Sequence, residues 1–117
     1  MCRITMQHLI DAGACREAKI RFRELFGESV EVTEEAAAAV AREFNWNWAA
    51  VNLLSEPARA TYWRVSRVSL EKYLLARHVA EVEGRGFVAE WTEYRRVAAT
   101  CFARLYMDTW PRGDDAR

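Results

Sequence analysis

The 117-residue chain is long enough to bury one core without disulfide or metal help. Apolar residues make up 51% and charged residues 29%, which excludes a disordered chain, and no apolar run approaches the ~20 residues that cross a bilayer. Seventeen basic and seventeen acidic side chains cancel, so the net charge gives no general drive toward DNA or RNA.

No stretch alternates apolar and polar residues long enough to propose a sheet, so the expected fold is all-α. The first segment, MCRITMQHLIDAGA, has one basic residue and a broken apolar run, and it does not read as a signal peptide. Within it a short helix starts after Thr5 and stops at Gly13. A second helix, ACREAKIRFRELF, closes on Gly27, with Cys15, Ala18, Phe22 and Leu25 as its apolar face. ESVEV reads as a linker. Thr33 then caps a third helix, with Glu34 and Glu35 at the positive end of its dipole and Ala37, Val40, Ala41 and Phe44 as its buried stripe. Asn47 is placed to cap a short fourth helix, WAAVNLL.

Ser55-Glu56-Pro57 is a helix start, and the pattern runs from there to about Glu83. Gly84-Arg85-Gly86 breaks it, and a last helix spans about Phe87 to Met107 before Pro111. So short a link sends the two long helices back along one another as an antiparallel hairpin. The expected architecture is a compact bundle of short N-terminal helices packed on that hairpin, one domain over 1–110, with 111–117 as a tail. In the last helix Phe87, Trp91, Tyr94, Ala98, Cys101 and Leu105 fall on one line, with Ala103 opposite, so that line is expected to face the core. The fifth helix is apolar on two sides: one stripe holds Tyr62, Val65, Val68, Ala76 and Val79, the other Trp63, Leu70 and Leu74. The second stripe is covered either by the N-terminal helices or by a homodimer or target protein.

Groups that could carry chemistry are sparse. Neither His8 nor His78 has a second His or Cys at i+3 or i+4, only a single carboxylate (Asp11 and Glu81), and both read as structural or surface histidines. Cys15 and Cys101 lie on apolar faces and read as buried, inert thiols. Three widely spaced cysteines fit reduced thiols in a cytosol better than a disulfide framework. There is no phosphate-binding glycine loop and no zinc pattern, so no catalytic residue, metal ligand or cofactor is expected. Arg59, Arg64, Arg67, Arg95, Arg96 and Arg104 could face nucleic acid, but Glu71, Glu81, Glu90 and Glu93 interleave with them. Residues 24–56 hold seven acidic side chains against one basic, an acidic segment suited to a basic protein surface. The candidate partner-binding residues are therefore Glu28, Glu31, Glu34 and Glu35 with Trp46, Trp63, Leu70 and Leu74, while Trp48, Tyr62, Leu53 and Leu54 are assigned to the interior.

LIDAGACREAKIRF, NWNWAAVNLLSEPARATYWRV and EYRRVAATCFARLY together resemble small helical proteins encoded by bacteriophages and prophages. The matching positions are Gly13, Ala14, Cys15, Arg16, Glu17 and Ala18, then Trp48, Leu53 and Leu54. The resemblance implies a non-enzymatic inhibitor, an anti-CRISPR for example, that binds a host protein effector in the cytoplasm of the infected bacterium. No membrane is implied. A small nucleic-acid-binding accessory protein using the Arg-rich hairpin is the alternative.

Overall fold

Thr5 fixes the first helix by supplying its own cap. Its hydroxyl accepts from the His8 backbone N–H while His8 Nδ1 accepts from the Thr5 backbone N–H, a reciprocal capping box. In a computed structural model describing residues 2–108, the elements run β1 (Arg3–Thr5), α1 (Met6–Asp11), α2 (Arg16–Phe26), β2 (Ser29–Glu31), α3 (Glu34–Ala39), α4 (Trp46–Leu53), α5 (Glu56–Val82) and α6 (Val88–Asp108). The molecule is a mostly helical bundle with long C-terminal helices packed together. Pro111 and the 111–117 tail lie outside the described residues.

The sheet is the first departure from expectation. ESVEV is not a bare linker: β2 pairs antiparallel with β1 in the register Arg3↔Glu31, Ile4↔Val30 and Thr5↔Ser29. Val32 N–H donates to Cys2 O and Met6 N–H to Glu28 O, extending the ladder at both ends. The alternation Ser29-Val30-Glu31-Val32 is real but only two periods long, too short to separate from a loop by pattern. Ile4 and Val32 are buried in the common core.

Gly27 ends α2 with φ +75°, where a side chain would be strained. Thr33 caps α3 as expected, its hydroxyl accepting from Ala36 N–H. α3 stops at Ala39, and turns carry the chain to α4. There the cap is Asn45, not Asn47: Asn45 Oδ1 accepts from Trp48 N–H, and Asn47 instead accepts from the Tyr62 hydroxyl at 2.7 Å. Starting the helix two residues earlier brings Trp46 into the first turn, facing inward. Trp46 is only 4% exposed, which overturns its assignment to the surface. Its indole N–H donates to Ala41 O, so burial leaves no orphaned donor. Edge-to-face, tilted and stacked rings run continuously through Phe22, Phe44, Trp46, Phe102 and Tyr106.

α5 and α6 form the expected hairpin. Gly84, with φ +71°, ends α5 in a Schellman motif: its own N–H donates to Glu81 O and that of Arg85 to Ala80 O. Arg85 then pairs with Glu83 and Glu90 across the tip. In the outer half the helices meet through rings, Tyr73 stacking on Tyr94 and meeting Phe87 and Trp91 edge-on. Nearer the core the seam is made of small residues, with Ala58, Ser66, Ala98, Ala99 and Ala103 all buried.

Which faces are buried differs from the expected stripes. On α6 the buried residues are Ala98, Ala99, Phe102, Ala103 and Tyr106; Trp91 is exposed, and Cys101, Leu105 and Tyr94, like Phe87 just before the helix, are only partly buried. α6 packs against α3 and α4 as well as α5, so its inward face is turned from the aromatic line toward the alanines, Ala103 included. On α5 the buried line is Ala58, Tyr62, Ser66, Tyr73 and Ala80. Of the expected stripe Tyr62 is buried and Val65 and Ala76 are half-buried, but Val68 and Val79 are exposed. They lie more than 100° around the helix from the line that α6 covers.

Candidate interaction surface

The hairpin gives the molecule its elongated outline, 56 × 29 × 24 Å, and most of its exposed apolar side chains. Trp63, Leu70 and Leu74 lie along one line of α5, within ~40° at 100° per residue. All three are exposed, Trp63 at 41%, although neighbouring Tyr62 is wholly enclosed. The Trp63 ring stands edge-on to Tyr62 at 5.2 Å, which holds the indole from one side. The N-terminal helices do not cover this stripe.

The acidic candidates fall elsewhere. Glu28 follows Gly27 and pairs with Arg23 at 2.8 Å; Glu31 sits on β2 opposite Arg3. Glu34 and Glu35 occupy the first turn of α3, and Glu34 is bridged by Arg104 of α6 at 3.1 Å. Because β2 and α3 pack chiefly on β1 and α6, these four carboxylates and the Trp63 stripe belong to different surfaces. Trp46 belongs to neither.

Most of the hairpin arginines have local duties. Arg95 donates to the carbonyls of Ala41 and Phe44 and lies 5.5 Å over the Trp91 ring, fastening α6 to the turns between α3 and α4. Arg59 donates to Val51 O, Arg96 pairs with Glu93, and Arg104 with Glu34. Hydrogen bonds from Arg96 hold the Glu93 carboxyl below the usual range and raise the guanidinium in return. Arg64 and Arg67 are exposed and have no ion-pair partner among the described residues. This dispersal gives no continuous basic track.

A void of about 20 Å³ lined by Ile4, Phe22, Phe44, Trp46 and Phe102 is apolar and holds at most about one water. No three of the described His, Cys, Asp and Glu side chains converge as metal ligands. His8 is committed to its capping box. Cys15 is exposed, not buried: it is the N-cap of α2, half outside the helix, and so does not share the Phe22 face. Cys101 is half-buried, and burial pushes its thiol up.

A groove of about 770 Å³ runs between α5 and α6 on the side away from Trp63, walled by Val65, Val68, Lys72 and Ala76 on α5 and by Glu93 and Tyr94 on α6. In the sequence Val65, Val68 and Ala76 share a stripe with Tyr62, and only the packing of α6 shows that Tyr62 is enclosed while Val68 lines an open groove.

No helix of the described residues is long and apolar enough to cross a membrane. No family model, curated protein or solved structure matches this chain.

Proposed function

We propose that this protein is a non-enzymatic, phage-encoded inhibitor that acts in the host cytoplasm by seating the Trp63–Leu70–Leu74 line of α5 in an apolar groove of a host protein machine, a CRISPR effector for example. The observation that carries it is the open stripe itself. An exposed indole braced by a buried tyrosine, followed by two leucines about two and three turns on, is the arrangement with which helices fill grooves in partner proteins. The acidic side chains Glu31 and Glu35 offer a second, charged contact to a basic target. The likeness of GACREA and NWNWAAVNLL to phage proteins supplies the context.

The test is inhibition of CRISPR interference in cells, alongside co-purification with the effector complex. Native protein is expected to block interference and to bind stoichiometrically, and Trp63→Ala to weaken binding by about 2 kcal/mol or more, roughly 30-fold. Leu70→Ser/Leu74→Ser should do the same without loss of helicity. Intact interference, or binding indifferent to all three positions, would rule the proposal out. The free guanidinium groups of Arg64 and Arg67 favour nucleic acid as a second reading; labelled DNA or RNA bound with a steep salt dependence would identify it.

A further inference from the structure

α5 carries a second apolar line that Trp63, Leu70 and Leu74 do not touch. Val65, Val68, Lys72, Leu75, Val79 and Val82 follow one another at alternating spacings of three and four, a heptad seam with Val65, Lys72 and Val79 at a positions and Val68, Leu75 and Val82 at d. The line runs about 27 Å along the helix. Apart from half-buried Val65 it is open to solvent: Leu75 is 67% and Val82 74% exposed. It forms the α5 wall of the groove and its continuation toward the tip. Exposed surface positions do not need a 3.5-residue period. A sustained one keeps a line facing another helix that supercoils around it.

We propose that this seam is occupied by the α5 helix of a second copy of the chain, antiparallel, so that two hairpins close into a four-helix bundle. Three features select this occupant and direction. Pairing Val65 with Val82, Val68 with Val79 and Lys72 with Leu75 of the other copy uses all six seam positions and is its own inverse, as a two-fold interface requires. In the parallel alternative both Lys72 ammonium groups would face each other in one a layer; in the antiparallel one each packs its stem on a leucine. Charge fits as well. Tyr73 stacks on Tyr94, which places Leu75 level with Thr92 and Glu93. The incoming Lys72, at the level of Leu75, therefore comes level with Glu93 on the groove's far wall and would join Arg96 at that carboxylate. Along the outer edge Glu71 of each copy meets His78 of the other. Ser69 meets Ala76 on the inner edge, small enough for the helices to approach closely. The Trp63 line stays open on both copies, so the dimer and the proposed inhibitory contact are separate and fail separately.

Sedimentation equilibrium on the full chain decides it. A concentration-dependent shift from the 13.5 kDa chain to twice that mass is expected. Leu75→Lys/Val79→Glu, placed at exposed positions, should give monomer alone with the native far-UV spectrum, and Leu70→Ser/Leu74→Ser should dimerise as the native chain does. Glu71→Lys should loosen the dimer about threefold, and adding His78→Glu should restore it, because only the antiparallel register opposes those two positions. A native chain monomeric up to about 1 mM overturns the proposal, as does a dimer that survives Leu75→Lys/Val79→Glu or depends on Leu70 and Leu74. Indifference to Glu71→Lys overturns the antiparallel register.

Discussion

Arg95 shows how one side chain can join a helix to a distant turn. Its guanidinium caps the Ala41 and Phe44 carbonyls and covers Trp91, so α6 and the turns leading to α4 are held by the same group. Arg95→Met keeps the apolar stem but strands both carbonyls, and should lower the unfolding free energy by about 2–3 kcal/mol in urea titrations. Arg95→Lys should recover only part, since an ammonium lacks the planar fork that reaches two carbonyls at once. Tyr62 gives a pH-dependent counterpart. Burial, helped by Tyr94 and Cys101 and opposed by Arg95, pushes its phenol far above its ordinary value, and burial does the same to Tyr106. A raised folded value means stability is complete below the unfolded phenol value of about 10 and is lost as pH rises beyond it. Denaturation measured from about pH 8 upward should show that decline, shallower in Tyr62→Phe. At neutral pH the same variant should lose about 1 kcal/mol with the Asn47 hydrogen bond.

At the scale of the helix, boundaries were legible and faces were not. Thr5, Thr33 and Ser55-Glu56-Pro57 start helices, and Gly27 and Gly84 end them, because caps are decided by a few neighbouring residues. The inward face is decided by whatever packs against it. On α6 the line through Trp91 and Tyr94 suggested a core face, yet the enclosed residues are Ala98, Ala99, Phe102, Ala103 and Tyr106, the alanines small enough to let α3, α4 and α5 approach. Helical period groups residues into lines but does not say which line the other elements cover. The contrast can be measured. Trp46→Ala, in the middle of the ring series, should cost about 3–5 kcal/mol in thermal or urea unfolding. Trp91→Ala should cost about half as much, since that ring is already partly in water.

Across the whole molecule, the sequence conveyed the hairpin and the alignment of Trp63, Leu70 and Leu74 on one side of α5, because both follow from helical period; that the line is open depends on where the N-terminal helices pack, which the period does not specify. It did not convey the strand pair, where Cys2 to Thr5 meets a segment some 25 residues away, nor the inward turn of Trp46, which hangs on Asn45 taking the cap that Asn47 was expected to take. The acidic candidates were legible as a cluster in sequence, but pairing of Glu28 with Arg23 and of Glu34 with Arg104 divides them. The placement of α6 has a consequence for how the chain comes into being. Every inner surface of α3, α4 and the first half of α5 is completed by α6, and Tyr106 near its end closes onto the Arg3 carbonyl. During synthesis, Phe44, Trp46 and Tyr62 leave the ribosome well before the α6 residues that pack over them do. The nascent polypeptide must hold these rings unfinished until α6 emerges, so the tertiary structure around them can close only after that helix has left the ribosome.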